Sequence, residues 1–261
     1  MDRKNIDKIA ENADDRVLLA KAWDKIHAGY QKNVPSHTAF LSPREIQMVQ
    51  YLFGNQPDLF SYGGYADAER KMYIYLPEYL DKDYLSGDNS PITCLRASFY
   101  RGETLTHRDI LGSLIGCGIT RESIGDILIG NNSVDFFISA DIAPYILENF
   151  QSAGRVSLKV AKVPMQEVFI PEQHFDEISD TVASIRLDSI LSSGFRISRA
   201  SANEYTLAGK VSIDGLICEK PDKFIPENSK ISVRGLGKIK LSKIGHTTKK
   251  GRISVVIHRY Q

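Results

Sequence analysis

The sequence predicts an α+β protein, and two patterns support this prediction. Between residues 90 and 165, strand-like segments with alternating apolar residues and helical segments follow each other in the order β-α-β-β-α-β. Beyond residue 182, two short helical segments precede strands that are separated by turn residues. We therefore expect an N-terminal mixed α/β domain, a central domain, an acidic linker and a C-terminal domain at residues 1–89, 90–165, 166–181 and 182–261.

Two helices are predicted in the N-terminal domain. Apolar residues recur every three or four positions from residue 6 onward, which indicates an amphipathic helix that runs to about His27 and is ended by Gly29. The segment Ser42-Pro-Arg-Glu45 combines a capping serine, a proline at the first helical position and a glutamate at the third. A second helix should therefore begin here and run to about Phe53.

A strand is expected from Lys71 to Leu76. Before it lies Tyr62-Gly-Gly-Tyr65, a pair of glycines between aromatic residues. This pattern is typical of a tight turn, and a ligand-binding loop is the alternative.

The central domain is predicted from six segments, which in chain order are the strand Ile92–Phe99, the helix Thr106–Gly116, the strands Ile124–Ile129 and Val134–Ser139, the helix Asp141–Gln151 and the strand Val156–Val163. This order is that of the split βαβ fold, which is ferredoxin-like or RRM-like.

An RRM binds RNA with aromatic residues exposed on its central strands. Here Phe137 is the one aromatic side chain expected on the open face of the sheet, beside Arg96 and Ser98. Residues 90–165 also contain seven basic and seven acidic residues, so they carry no net charge. We therefore do not expect RNA binding through this sheet.

Charge is distributed unevenly along the chain. Residues Val182–Gln261 contain 15 Lys and Arg against 6 Asp and Glu, a net charge of +9. Residues Met1–Thr181 contain 18 against 26, a net charge of −8. A basic module on an acidic body favours a polyanionic partner, because clustered cations displace counterions from phosphates.

Two short helices are predicted at the start of the basic module. Arg186 opens the first, and Gly194 is expected to end it in a left-handed conformation. Ser198 is a natural N-cap for the second helix, which begins at Arg199 and stops at Gly209. Both arginines can therefore project from one end of a helix pair.

The rest of the module is expected to be β-structure. Lys210–Cys218 alternates around Asp214-Gly215, which predicts a hairpin. Ile231–Val233 should return as a strand, and Arg234–Tyr260 should form a long hairpin with basic residues at its tip.

The helical and hairpin positions together closely resemble the S4 RNA-binding domain, and the matching positions are Arg186-Leu-Asp188, Leu191, Gly194, Ser198-Arg199, Ala202, Gly209-Lys-Val211 and Asp214-Gly215. In that family the helix pair presents its arginines to structured RNA. With the basic hairpin, the candidate RNA-binding residues are Arg186, Arg196, Ser198, Arg199, Asn203, Lys210, Arg234, Lys238, Lys240, Lys249, Lys250 and Arg252. Two alternatives remain: Arg186 pairs with Asp188 and steadies its helix, and the hairpin lysines protect edge strands.

Nearly the whole chain resembles the YlmH family, through Phe40-Leu-Ser-Pro-Arg-Glu45, Gly63-Gly-Tyr-Ala-Asp-Ala-Glu-Arg-Lys71, His107-Arg-Asp-Ile-Leu-Gly112 and Gly125-Asp-Ile127. The resemblance implies a non-enzymatic factor that binds a large ribosomal subunit carrying a stalled peptidyl-tRNA and supports rescue of the nascent chain. Its partners would be the ribosomal RNA of that subunit and tRNA.

Motifs for catalysis are incomplete. Arg186-Leu-Asp188 is similar to the start of the pseudouridine synthase motif, but Leu191 replaces its threonine and Gly194 falls one residue late. His107-Arg-Asp109 lacks the other kinase motifs, and Gly116-Cys-Gly118 follows a helix, unlike a dinucleotide-binding or methyl-donor loop. We expect no catalytic residue, cofactor, metal or small-molecule substrate. The alternative is an RNA-modifying enzyme, of the pseudouridine synthase or methyltransferase type, that docks its substrate through the S4-like module.

The expected location is the cytoplasm. The chain contains no run of eighteen apolar residues, and no apolar segment follows its first residues as in a signal peptide. Cys94, Cys117 and Cys218 are isolated in the sequence, as is usual for reduced thiols. We expect a monomer without membrane contact.

Overall fold

A computed structural model of the chain describes residues 3–171, 174–249 and 251–260. The chain forms two compact units, Met1–Pro171 and Glu172–Gln261. The domain boundary expected between residues 89 and 90 therefore falls inside the first unit. Within the described ranges, no helix has both the length and the apolar character needed to cross a lipid bilayer.

The first unit contains, in chain order, α1 (Ile6–Ile9), α2 (Ala13–Lys32), β1 (Ser36–His37), α3 (Pro43–Phe53), β2 (Leu59–Tyr62), β3 (Met72–Tyr75), β4 (Ile92–Ser98), α4 (His107–Gly116), β5 (Ile124–Ile129), β6 (Ser133–Ser139), α5 (Ala143–Asn149), β7 (Ser152–Ala153), β8 (Val156–Ser157) and β9 (Lys159–Val163). Its larger sheets have the strand orders β1-β3-β2 and β5-β6-β4-β9. The second of these, together with α4 and α5, has the β-α-β-β-α-β order expected from the sequence. The expected last strand, Val156–Val163, is divided: β8 pairs with β7, and only β9 joins the four-stranded sheet.

Local capping signals fix the N-terminal helices. Ser42 and Glu45 form the expected capping box at α3, in which the Ser42 amide donates to Glu45 Oε2 at 2.6 Å. The expectation that Gly29 ends α2 is wrong, because the helix continues to Lys32 and Asn33 takes the left-handed cap position. Gly29 serves close packing: a Cβ there would lie 2.1 Å from Ser36 Oγ.

The four-stranded sheet is covered on both faces. On one face α4 and α5 bury residues such as Leu95, Phe136 and Ile138. On the other, Phe40, Met72 and Ile74 from the N-terminal segment pack against Cys94, Phe137 and Val163. This second core makes residues 1–171 one unit, because the N-terminal and central segments bury their apolar side chains against each other.

Phe137 lies at the centre of that second core and is fully buried. The Tyr65 ring stacks on it with the ring centroids 5.4 Å apart. Gly64 has a positive φ of +100°, and a Cβ at this position would lie 2.2 Å from the Phe137 ring. The Tyr62–Tyr65 segment therefore packs against the sheet, and Phe137 is not available for stacking on RNA bases.

Asp126 of β5 anchors the loop at residues 65–70, which precedes β3. Its carboxylate accepts hydrogen bonds from the Tyr65 hydroxyl at 2.9 Å and from the amides of Glu69 and Arg70 at 2.6 and 3.0 Å. Burial, together with the Asp126 carboxylate, raises the pKa of Tyr65 above its usual value. The two sequence motifs that contain these residues thus have a shared structural role.

The second unit contains β10 (Phe175–Val182), α6 (Leu187–Phe195), α7 (Arg199–Leu207), β11 (Val211–Ile213), β12 (Leu216–Ile217), β13 (Lys230–Val233), β14 (Gly237–Thr247) and β15 (Ile253–Tyr260). The strands form one antiparallel sheet in the order β10-β15-β14-β13-β11-β12. The expected hairpin turn at Asp214-Gly215 is present, with both residues at positive φ. One apolar core joins the helix pair to the sheet and includes Leu187, Ile190, Leu191, Ala202, Ile239, Leu241, Val255 and Ile257.

The expected acidic linker at residues 166–181 is corrected by the structure. Its second half is part of β10, which pairs with β15 along its whole length. Asp176 lies opposite Arg259, so opposite charges face each other across the strands. Because β10 brings acidic residues into the second unit, the net charge of residues 172–261 is +5, from 15 basic and 10 acidic residues.

Gly194 also has a different role from the one predicted. The left-handed position after α6 is taken by Arg196, with φ +54°. Gly194 lies inside the helix, where a Cβ would approach Ile239 Cδ1 to 2.7 Å. The glycine therefore allows α6 to pack closely on β14.

We expect Gly64→Ala to destabilise the first unit through the collision with Phe137. Gly102 is the matched control, because its φ of +107° is similar and nothing lies within 4 Å of a Cβ there. The free energy of unfolding should fall by about 1–3 kcal/mol more in Gly64→Ala than in Gly102→Ala. Urea denaturation followed by fluorescence of Trp23, the single tryptophan, measures this unit. Equal effects of the two substitutions would contradict the close packing.

Candidate nucleic-acid interface

The N-terminal ends of α6 and α7 meet through a hydrogen bond. Ser198 caps α7 as predicted, its hydroxyl accepting from the Ser201 amide at 3.0 Å. Arg199, the first residue of α7, donates from Nη2 to Ser189 Oγ in the first turn of α6 at 2.9 Å. Arg186 occupies the N-cap position of α6. The structure thus places Arg186 and Arg199 at the same end of the helix pair.

Arg186 forms the local ion pair that the sequence left as an alternative. Its Nε lies 3.2 Å from Asp188 Oδ1, and the side chains are 47% and 9% exposed, respectively. The same carboxylate oxygen accepts from the Ser189 amide at 2.9 Å. Since Asp188 is nearly buried, Arg186 compensates a charge that water solvates only weakly.

Three arginines converge on a small pocket beside the helix pair. Arg196, Arg199 and Arg252 line a depression of about 230 Å³ together with Ser189, Ser192, Ser193, Asp180, Thr181 and Val182. We call this site the arginine pocket. Its residues come from α6, α7, the end of β10 and the turn before β15.

Thr181 holds Arg252 at the edge of the pocket. Arg252 Nε donates to Thr181 Oγ1 at 3.0 Å, and Nη2 donates to the Thr181 carbonyl. The Arg252 amide in turn donates to Thr248 Oγ1 at 3.1 Å. A residue from the tip of the long hairpin is thereby fixed next to the helix pair.

The arginine pocket is suited to a phosphate group. Its lining contains three arginines and one carboxylate, Asp180, which accepts from Ser193 Oγ at 2.7 Å. The N-terminal end of α7 adds a partial positive charge. Guanidinium groups bind phosphate oxygens in a bidentate way, so this arrangement can hold an anion.

The other predicted residues on the helix side lie outside the pocket. Lys210 and Arg234 are both exposed and adjacent, since the Arg234 amide donates to the Lys210 carbonyl at 2.9 Å. Lys210 Nζ also lies 5.6 Å from the Tyr205 ring centroid. The Oδ1 atom of Asn203 is buried and has no hydrogen-bond partner among the described residues.

The predicted lysines of the long hairpin are distributed over two regions. Lys238 and Lys240 alternate with the core residues Ile239 and Leu241, so they lie on the sheet face opposite the helices. Lys249 is exposed in the hairpin turn, and Lys250 lies outside the described residues.

Sequence reasoning missed the polar wall of the arginine pocket. Ser189, Ser192 and Ser193 were part of a predicted helix without an assigned role, and Thr181 fell in the expected linker. The sequence contains no clear signal for the strand, because Ile178 and Val182 are four residues apart and fit a helix as well as a strand.

The first unit has a larger pocket with a different character. Its volume is about 750 Å³, and its charged lining is balanced: Asp14, Asp15, Glu45 and Glu122 against Lys21, Lys25, Arg70 and Arg121. Burial, with a contribution from Arg121, lowers the pKa of Arg70 to about 10, so Arg70 is still a cation at neutral pH. Arg70 Nη2 donates to the carbonyl groups of Phe40 and Arg121. This pocket therefore has no preference for an anion.

Two reactive side chains, Asp109 of the incomplete kinase motif and the isolated Cys94, have structural surroundings. Asp109 forms a capping box with Thr106 at the start of α4, as expected for a helix-opening segment. Burial raises the pKa of the Cys94 thiol to about 12, so it is protonated at neutral pH. No group of three or more potential metal ligands occurs among residues 3–171, 174–249 and 251–260.

A cationic pocket on a helix pair packed over a sheet is typical of a nucleic-acid-binding protein. Residues 99–167 match a family model described as "Putative RNA-binding domain in YlmH". The chain is 32% identical over 252 residues to the ribosome-associated protein quality control protein P2 of Bacillus subtilis, covering 94% of this chain and 95% of the relative. It therefore belongs to the YlmH family.

A solved structure shows the same fold over part of the chain. Cell division protein ylmH from Streptococcus pneumoniae superposes with a TM-score of 0.50 and 22% sequence identity. The match covers 62% of this chain and 98% of the solved chain. At this identity the likeness concerns the fold.

We expect the two arginines to have different roles: Arg186 stabilises α6, and Arg199 binds RNA. Arg186→Ala leaves the nearly buried Asp188 without its cation, so amide hydrogen exchange across α6 should become faster. Arg199→Ala should weaken binding of a structured RNA by about 1.5–3 kcal/mol, or roughly 10- to 150-fold, because it removes a charge-assisted hydrogen bond. Hydrogen-exchange mass spectrometry and fluorescence anisotropy measure the two effects.

The conservative variant Arg186→Lys is the control, because it keeps the positive charge next to Asp188. Its exchange in α6 should lie close to that of the unsubstituted protein. If Arg186→Ala instead lost RNA affinity with unchanged exchange, Arg186 would be an RNA contact and not a support for the helix.

Proposed function

We propose that this protein is a non-enzymatic RNA-binding factor that acts on the ribosome. In this proposal its second unit is an S4-type domain that contacts the large subunit while a peptidyl-tRNA is still bound, during rescue of a stalled nascent chain. The relative from Bacillus subtilis supports the ribosomal context through its name, a ribosome-associated quality control protein.

The observation that carries the proposal is the convergence of Arg196, Arg199 and Arg252 in one pocket. Arg252 is far from the other two in the sequence, and the fold brings the three together although like charges repel each other. A bound phosphate would remove that repulsion. The arginine pocket is therefore best explained as a contact for an RNA backbone.

Contacts of this type recognise the shape of a folded RNA. Phosphate contacts fix position and orientation but carry little base information. The pocket has a defined geometry, because Thr181 fixes Arg252 and Ser189 contacts Arg199. A structured RNA with a suitably bent backbone would fit better than a random strand, as expected for ribosomal RNA or tRNA.

The first unit offers a second candidate contact, because the matched family model, described as an RNA-binding domain, covers residues 99–167. Both faces of the four-stranded sheet are covered there, so an RNA contact would use its edge. Strand β9 lies at that edge and exposes Lys159 and Lys162, and Arg155 is exposed just before it. In our proposal this edge is the weaker RNA contact, since acidic residues balance the charge of the region.

Removing the cations of the arginine pocket should weaken RNA binding and its dependence on salt. The test variant replaces Arg196, Arg199 and Arg252 with Gln. The control replaces Lys8, Lys25 and Lys32, three exposed residues of the first unit, with Gln and removes the same number of charges. Affinity for ribosomal RNA should fall at least about 10-fold in the pocket variant alone.

The salt dependence gives a second measurement of the same interaction. The slope of log K against log salt should decrease by roughly 0.7–0.9 for each phosphate that the variant no longer neutralises. Equal loss of affinity in both variants would show that net charge, and not the pocket, determines binding.

The ribosomal substrate can be tested by sedimentation. Tagged protein should co-sediment with large subunits that hold peptidyl-tRNA more than with empty subunits, because two linked contacts raise the effective concentration. Lys249→Ala together with Lys250→Ala should reduce this preference. Equal recovery on both particles would remove tRNA from the proposal, and recovery on neither would remove the ribosome. New base modifications that depend on the protein would favour the enzymatic alternative.

A further inference from the structure

We propose that the second unit has another RNA-binding surface, on the sheet face opposite α6 and α7, and that it binds single-stranded RNA. We call this surface the open sheet face; it consists of Phe175, Lys230, Lys238, Lys240, His258 and Tyr260. It goes beyond the proposed function, which rests on the arginine pocket on the helix side. Both surfaces share RNA as the ligand class.

Strand register brings these residues together. Phe175 lies opposite Tyr260, His258 lies opposite Lys240, and Lys240 lies opposite Lys230. Side chains alternate between the two faces of a strand. Because Ile239, Leu241 and Ile257 belong to the core under the helices, the neighbouring Lys238, Lys240 and His258 face the other way.

The aromatic residues form a platform for stacking. The rings of Phe175 and His258 are stacked with centroids 3.9 Å apart and an interplanar angle of 10°. Phe175 is 42% exposed at the edge of the sheet, so part of its ring is open to solvent. The exposed part of the Phe175 ring does not contribute to the apolar core. Nucleic-acid bases of any type can stack on such a ring.

The lysines supply the matching charge. Lys230 and Lys240 are direct cross-strand neighbours, an arrangement in which like charges destabilise a sheet. Lys238 lies on the same face, with Nζ 6.0 Å from the Tyr260 ring centroid. An anionic strand that crosses the sheet would relieve the repulsion between Lys230 and Lys240. Lysines can also protect an edge strand from pairing with another chain. This alternative does not apply here, because β13 and β14 are interior strands.

Acidic side chains border this surface at Glu177 of β10 and at Asp214, whose carboxylate accepts from the Lys230 amide at 2.8 Å. Glu177 lies opposite His258, and its carboxylate is 3.6 Å from His258 Nε2. Glu177 is 61% exposed and lies next to the aromatic platform, away from Lys230. The open sheet face therefore has a basic side and an aromatic side, as in proteins that bind single strands by phosphate contacts and base stacking.

The test uses the full chain and a fluorescent oligouridine of about ten nucleotides. Phe175→Leu keeps an apolar side chain but removes the ring, so affinity should fall by about 5- to 150-fold, as for the loss of one base–aromatic stack. Phe224→Leu is the matched control, because Phe224 is 62% exposed in the same unit but lies outside the sheet, in an isolated β-bridge with Arg186 on the helix side. Its affinity should not change.

A second pair of variants tests the lysines independently of β10. Lys238→Gln with Lys240→Gln should weaken oligouridine binding by at least about 10-fold, as expected when charge-assisted hydrogen bonds to phosphate are removed. The control, Lys220→Gln with Lys223→Gln, removes two exposed charges in a loop and should leave the affinity nearly unchanged. Hydrogen exchange of the sheet establishes that each variant is folded. If Phe175→Leu were unfolded, the lysine pair would decide the question.

Comparison with the arginine-pocket variant separates the two proposals. The arginine-pocket variant should lose more affinity for structured RNA than for oligouridine. The variants of the open sheet face should lose more affinity for oligouridine than for structured RNA. Absence of oligouridine binding by the unsubstituted protein, or equal binding by Phe175→Leu and Phe224→Leu, would overturn this inference and leave the arginine pocket untouched. Displacement of oligouridine by polyglutamate to the same extent as by unlabelled oligouridine would also overturn it, in favour of an acidic protein partner.

Discussion

The alternation of side chains between the two faces of a β-strand is the constraint on which both units depend. In the first unit, helices cover one face of the four-stranded sheet and the N-terminal segment covers the other. Phe137 is consequently buried, and the sheet has no free surface for RNA bases. In the second unit, helices cover one face of a six-stranded sheet, and lysines and aromatic residues occupy the opposite one.

This difference explains why the two units have different roles in the proposed function. A sheet covered on both sides presents only its edges and connecting loops. A sheet covered on one side leaves a second surface, and the helix pair leaves a cationic pocket where its N-terminal ends meet β10 and the long hairpin. In the proposed function, the segment that the family model matches and the arginine pocket are separate RNA contacts, one in each unit.

Local signals in the sequence were reliable where short-range hydrogen bonds determine the structure. The caps at Ser42 and Ser198 and the turn at Asp214-Gly215 were predicted correctly, because their partners lie within a few residues. Gly29 and Gly194 were interpreted incorrectly as helix ends. A glycine fits both a left-handed cap and a close helix contact, and the neighbour that distinguishes them can be distant in sequence, as Ile239 is from Gly194.

The sequence by itself determined the order of the main helices and strands, the excess of basic residues toward the C-terminus and the family resemblance. The tertiary structure decided which cations lie close together. It joined Arg252 to Arg196 and Arg199 through Thr181, and it placed Lys238 and Lys240 on the opposite face of the sheet. The reason is that β10 pairs with β15, whose partner residues are 71 to 85 positions away, and no local pattern specifies a partner at that distance.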